Sequence, residues 1–239
     1  MTIIAIDSST DVCSAALLQD GEVLAERMNP GGSNHAALLP VYVQELQAIA
    51  SEQELTIEAV VLSEGPGSYT GLRIAASLAK GLFYGAEIPL MAVPTLAVIA
   101  FGARNKEQGI KTEELICPMI DARRMEVYCA MYDKDLQEVQ ALTAQVIDEQ
   151  SFAQVLDSHI VYFCGNGAEK CKAVIRHPNA RWIDGIVPTG AWAGQLAISS
   201  QQSAVSSPVR VMKGTEVAYF EPNYLKEFVA APAHVKGLR

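Results

Sequence analysis

The chain lacks any apolar stretch approaching the ~20 residues of a membrane span. Met1-Thr2-Ile3-Ile4-Ala5-Ile6 reaches Asp7 too soon to be a signal peptide, so the expectation is a cytoplasmic chain that crosses no membrane. Cysteine is scarce and poorly spaced. Cys13, Cys117, Cys129, Cys164 and Cys171 form no C-x-x-C pair and leave one over, which suits structural thiols in a reduced compartment better than a disulfide frame or a zinc site. The four histidines, His35, His159, His177 and His234, never stand at an i, i+4 spacing, and no H-E-x-x-H is present. Positive charge is also short: 18 Lys and Arg against 27 Asp and Glu give a net charge of −9. A chain this acidic lacks the footprint needed to hold phosphate backbones unaided, so any nucleic acid should be reached through a partner.

Two phosphate motifs are absent as well. A P-loop needs G-x-x-x-x-G-K-[ST], but Thr70 stands five residues after Gly65 and Leu72 five after Gly67. The dinucleotide fingerprint G-x-G-x-x-G fails because its third glycine would fall at Thr70.

What is present centres on residues 65–85. The β-branched run 59–62 reads as a buried strand, Gly65-Pro66-Gly67 as a tight turn, and Ser68 as the cap of a helix over 69–84. A strand, a glycine-rich turn and a helix start can hold an anion, or can be only a turn and a cap.

Around this unit the first half reads as strands at 3–6, 13–18 and 23–26, with a hairpin signal at Asp20-Gly21. A helix over 35–51 follows, with Pro40 in its early turns, and a strand at 88–93 and a helix at 95–104 come after 69–84. The polar stretch 105–114 marks a boundary between units 1–104 and 105–239, and the C-terminal tail has the option of packing back on the first. The second unit repeats the order: strands at 115–120 (ending at Asp121), 126–132 and 138–146, a helix at 149–156, a strand at 160–163, Gly165-Asn166-Gly167 and a helix to 175, then a helix over 191–203. Strand-strand-strand-helix-strand-helix, given twice, suggests two related α/β domains with a cleft between them.

The candidate cleft residues are Asp7, Ser8, Ser9, Thr10, Gly65, Gly67, Ser68 and Asp121. Asp7 has two readings, a metal–phosphate carboxylate or strand-end turn chemistry with Ser8 to Thr10, and the second is favoured. Asp121 is a second cleft carboxylate or a partner for Arg123 or Arg124. Glu126, Tyr128 and Tyr132 read as ordinary strand alternation. The cysteines in predicted strands read as buried and inert.

The helices 35–51 and 69–84 each carry more apolar surface than one packed face needs. Leu39, Val43, Leu46, Ile49 and Ala50 form one stripe suited to the core, with Leu38, Val41 and Ala48 beside Glu45 forming another, where Leu38, Val41 and Glu45 are expected to face a partner. On the second helix Ile74, Leu78 and Leu82 are expected to face the core. Leu72, Ala76, Ala79 and Phe83, with Arg73 and Lys80, are expected to face a partner.

Ile4-Ala5-Ile6-Asp7-Ser8-Ser9-Thr10, the run from Gly65 to Arg73, Lys80-Gly81-Leu82, Asp121-Ala122-Arg123-Arg124 with Glu126-Val127-Tyr128, and Pro222-Asn223-Tyr224-Leu225-Lys226 together resemble the TsaB (YeaZ) family. The closing block departs from the family pattern only in Lys226, where arginine is usual. The resemblance implies an actin-like ATPase (sugar kinase and Hsp70) fold of two related βββαβα domains. It also implies a non-catalytic partner of TsaD, acting with TsaE in making threonylcarbamoyladenosine at position 37 of tRNA. The family uses the helix pair for self-association and for TsaD, so a homodimer is expected when the chain is alone, and tRNA is reached only through the complex. No cofactor is expected, with room left for a nucleotide at the complex interface. TsaD holds a metal through a His-x-x-x-His pair, whose positions here fall on Thr95 and Ile99, so no metal and no peptidase activity are expected. The competing class is an active actin-like ATPase or phosphotransferase, which ATP turnover by the purified chain would separate.

Overall fold

The computed structural model describes residues 1–32, 34–202 and 208–225. The first half runs β1 (Thr2–Asp7), β2 (Cys13–Gln19), β3 (Glu22–Asn29), α1 (His35–Glu52), β4 (Ala59–Ser63), α2 (Tyr69–Ala86), β5 (Leu90–Val93) and α3 (Thr95–Lys106). The second runs β6 (Leu115–Asp121), β7 (Glu126–Tyr132), β8 (Glu138–Val146), α4 (Ala153–Leu156), β9 (Val161–Cys164), a single 3-10 turn over Glu169–Cys171, β10 (Ala180–Ile183) and α5 (Gly190–Gln202). β11 (Arg210–Met212) and α6 (Thr215–Ala218) follow.

The strands form two sheets, ordered β11-β5-β4-β1-β2-β3 and β10-β9-β6-β7-β8. Without β11 the two orders coincide strand for strand. The senses coincide too: β1 pairs antiparallel with β2 and parallel with β4, as β6 does with β7 and β9. This duplicated mixed α/β arrangement has the repeated strand order expected of the two related units.

The central strands are buried on both faces and read as continuous apolar runs. Ile4, Ile6 and Leu62 face one way, onto α1 and α2; Ile3, Ala5 and Val61 face the other, onto α3 and α5. Residues 95–103 of α3 are all buried, as expected of a helix that is apolar all round. The cluster containing α3 and α5 also takes in Ile116, Ile120 and Tyr132 of the second sheet, so these two helices fill the space between the sheets.

Three expectations need correction. The division into 1–104 and 105–239 does not match the packing, because α5 covers β1, β2 and β4 and β11 joins β5, all in the first sheet. The expected helices at 149–156 and from Gly167 to 175 shrink to α4 and to a series of tight turns. Between Gly167, whose backbone presses on Ile120 and Asp121, and Pro178, which disfavours α geometry at His177, little length is left for a helix. β10 and β11 were not expected at all; four and three residues are too short to show a period. Ser203, Lys226 and the tail beyond 225 lie outside the described residues.

Candidate functional site

The ends of β1 and β6, the two equivalent central strands, open on a cleft of about 540 Å³. Ser9, Thr10, Gly67 and Ser68 line it from the first half, Asp121 and Asn166 from the second, and Asn223 and Tyr224 from the returning C-terminal stretch. The turn geometry explains why Gly65 and Gly67 are glycines. Gly65 has φ +114°, and a Cβ there would lie 2.6 Å from the Asn223 carbonyl oxygen; a Cβ on Gly67 would overlap the Ser9 carbonyl. The Ser68 N–H donates to that carbonyl (2.7 Å), and the Ser68 hydroxyl accepts from the Gly71 N–H (3.2 Å), so Ser68 caps α2 as expected.

Asp7, Ser8 and Gly65 do not line the cleft. Asp7 is fully buried, and its carboxyl accepts from the N–H of Ser9 (3.1 Å) and from the Ser9 hydroxyl (3.0 Å). Burial pushes its pKa up, against the pull of the Ser9 donors. The Ser8 hydroxyl meets His35 Nδ1 at 3.0 Å, and His35 Nε2 lies 3.1 Å from the Asp11 carbonyl. A carbonyl only accepts, so Nε2 carries a proton and donates to the Asp11 carbonyl. These residues brace the β1 loop from below. Asp121 is not paired with either arginine side chain; its carboxylate pairs with Lys170 and accepts from the Arg123 N–H (2.8 Å). Lys170 also donates to the carbonyls of Arg124 (2.8 Å) and Glu126 (2.7 Å), closing the loop that bears both arginines. The cysteines are all buried, and burial raises the thiols of Cys117 and Cys164 and pushes Cys171 up to about 11, so none of these is an activated nucleophile.

The helix pair requires the largest correction. On α1 the expected core stripe holds except at Ile49: Leu39, Val43, Leu46 and Ala50 are buried, Ile49 and Leu38 are half-buried and Val41 is 46% exposed. On α2 the two stripes are exchanged. Leu72, Ala76, Ala79 and Phe83, the expected partner face, are buried against the first sheet together with Ala75. Ile74, Leu78 and Leu82, the expected core, are only half-buried and pack against the margin of that buried cluster. The small side chains of Ala75, Ala76 and Ala79 let α2 lie close to its neighbours, with Leu72 and Phe83 filling the buried face at either end. Glu45 is exposed and pairs with Arg27 (2.6 Å); Arg73 is exposed and donates to the Tyr69 hydroxyl (2.8 Å). Lys80 donates to the Ala218 carbonyl (3.0 Å) and is tied to the returning stretch.

The outer faces of α1 and α2 enclose a groove of about 640 Å³, lined by Ala36 and Pro40 on one side and Tyr69, Arg73, Ile74 and Leu78 on the other. Further along α2 the exposed face carries Ser77, Gly81 and Gly85 at i, i+4, i+8, next to Tyr84, which is 61% exposed.

The chain is 31% identical over 236 residues to the tRNA threonylcarbamoyladenosine biosynthesis protein TsaB of Escherichia coli (strain K12), with 96% of each chain covered. The chain belongs to the TsaB family. The TsaB of Bacillus subtilis (strain 168) is 35% identical over 151 residues, covering 63% of this chain and 62% of its own. Residues 28–231 also match the family model for TsaD, tRNA N6-adenosine threonylcarbamoyltransferase. Among solved structures, YeaZ from Pseudomonas aeruginosa is similar with a TM-score of 0.75 and 26% identity, over 94% of this chain and 99% of that one.

Within this TsaB-family chain Thr95 and Ile99, where the resemblance leads one to look for a histidine pair, are built into the core. Thr95 is fully buried; its hydroxyl accepts from the Gly65 N–H (3.1 Å), and its own N–H donates to the Gly65 carbonyl (2.9 Å). Ile99 is fully buried among α3 and α5. Thr95 therefore pins the glycine turn that begins α2. Among the described residues no group of three or more His, Cys, Asp or Glu could hold a metal ion, and no helix is long and apolar enough to cross a membrane.

Proposed function

We propose that this chain is a non-catalytic subunit of the machinery that makes threonylcarbamoyladenosine in tRNA, and that it docks on TsaD through the outer faces of α1 and α2, with TsaE joining the assembly. The observation that carries this reading is α2 itself. An 18-residue helix leaves Ile74, Leu78 and Leu82 only half-buried and has two glycines on its exposed surface. A Cβ on Gly81 or Gly85 would meet nothing within 4 Å, so packing inside the chain does not require glycine there. A helical glycine costs about 0.5–1 kcal/mol relative to alanine, and a closely approaching partner helix gives that cost a reason. Alone, the chain offers the same face to a second copy, and TsaD competes with that homodimer.

The alternative, an active phosphotransferase, loses support because Asp7 is sealed below the cleft floor and is not available to a metal–phosphate group. The cleft volume lies in the range of small-molecule sites, which leaves a nucleotide a place at the complex interface without turnover by this chain.

Co-expression of the tagged chain with TsaD from the same cell tests the reading. The expected result is a stoichiometric complex on gel filtration, no ATP turnover by the chain alone, and threonylcarbamoyl transfer that requires its addition to TsaD and TsaE. ATP turnover by the isolated chain without TsaD capture would overturn it. With a net charge of −9, the isolated chain should also give no tRNA shift at sub-micromolar concentration in physiological salt.

A further inference from the structure

The Pro222-Asn223-Tyr224-Leu225 block closes the described chain far in sequence from α2, yet it ends against that helix's first turn. The returning stretch follows α2 from its C-terminal half to its start. Ala218 accepts from Lys80 (3.0 Å), and Val217 and Phe220 are buried in the cluster that holds Ala76, Ala79 and Phe83. The Asn223 N–H then donates to the Glu64 carbonyl (2.7 Å), and the Asn223 carbonyl lies where Gly65 would carry a Cβ. This fixes the backbone beside the turn and brings the Tyr224 ring onto Tyr69, with centroids 4.9 Å apart and planes at 43°.

Tyr69 is the first residue of α2. Its hydroxyl accepts from Arg73 Nη1 (2.8 Å), and the Arg73 guanidinium lies 5.4 Å from its ring centroid. Tyr69 lines both the cleft, with Tyr224, and the α1–α2 groove, with Arg73.

We propose that Tyr224 is a positioning residue for the docking helix: it fixes the Tyr69 ring, and through Tyr69 it holds the Arg73 guanidinium on the rim of the groove. The inference rests on the docking reading above. An arginine ordered before docking loses less side-chain freedom on binding, and its planar fork favours a carboxylate or carbonyl acceptor on the partner.

Dissociation constants for TsaD, with melting curves, are to be measured for the parent chain and for Tyr224→Ala, Tyr224→Phe, Arg73→Ala, the Tyr224→Ala/Arg73→Ala double variant and Leu78→Glu. Tyr224→Ala and Arg73→Ala should each weaken binding roughly tenfold, and the double variant no further, because both act through the same side chain. Tyr224→Phe keeps the ring and should bind like the parent. Leu78→Glu should abolish binding. If Leu78→Glu abolishes binding while Tyr224→Ala or Arg73→Ala binds like the parent, the positioning role is overturned and the docking reading stands. Losses that multiply in the double variant, or a Tyr224→Phe as weak as Tyr224→Ala, overturn it equally. If none of the variants changes binding, the docking face itself is wrong. Should Tyr224→Ala melt early, Tyr224→Leu replaces it in the cycle with the same outcomes.

Discussion

Asp7 ends the central strand of the first sheet and has no solvent exposure. Its donors come from Ser9, two residues on, so the carboxyl organises its own loop. Burial holds its folded-state pKa above the ordinary carboxylate value. Between the unfolded and folded values the native state binds more protons than the unfolded chain, so stability falls as pH rises through that window and the cost persists above it. Asp7→Asn keeps the shape and an acceptor for Ser9 but cannot ionise. It should melt at or above the parent temperature at pH 8, and it should lose part of the parent's decline in stability above pH ~4. An Asp7→Asn that melts well below the parent at pH 8 would mean that the ionised carboxylate stabilises the fold. Gly67→Ala belongs to the same loop. Its new methyl would overlap the Ser9 carbonyl, which is backbone and can yield only by moving the loop. A loss of about 1–3 kcal/mol is expected, seen as a lower denaturation midpoint.

At the scale of elements, α2 shows what a sequence can and cannot say. Its start was legible because Gly65, Gly67 and Ser68 are turn and cap residues with local chemistry, and its bounds came within two residues of those observed. Which side faces inward is not legible, because both stripes are apolar. Packing chose the alanines instead: a close helix–sheet approach needs small residues, and only the facing sheet reveals how close the approach is. On α1 most of the core stripe is legible because Gln44, Glu45 and Gln47 interrupt the second one, which leaves a single wholly apolar face. The exchange on α2 reverses the expected outcome of mutation. Leu72→Glu buries an unpaired carboxylate at a fully buried position and should unfold the first half. Leu78→Glu should melt like the parent and fail to bind TsaD. Gly81→Ala and Gly85→Ala should each stabilise the isolated chain by about 0.5–1 kcal/mol while weakening the complex, because the added methyls stand where the partner approaches. Stabilisation with unchanged TsaD affinity would move the contact away from this face.

At the scale of the whole molecule, the duplicated strand order could be read from the sequence because each half repeats its strands in the same succession. The return of the chain to the first sheet stands only as an option for the C-terminal tail, with nothing to mark α5 or β11 as part of it. β11 has three residues, and α5 follows the second set of strands without any mark that it packs on the first. The consequence is a dependence between the halves. Without α5, the face formed by Ile3, Ala5, Ala16, Leu18 and Val61 would be open to water, and β5 would lose its outer neighbour. A fragment of residues 1–104 should therefore fail to fold alone, despite containing five of the six strands of its sheet. It is expected to aggregate, or to bind a hydrophobic dye without a cooperative thermal transition. Appending residues 187–225 through a flexible linker should restore a cooperative melt, because it supplies α5, β11 and α6 without the second sheet. The exposed surface of α3, which normally meets β6, would still leave that chimera less stable than the full chain. A cooperative melt from 1–104 alone would show that the returning stretch merely covers a core that closes without it. In that case the brace it places on α2 would also be dispensable.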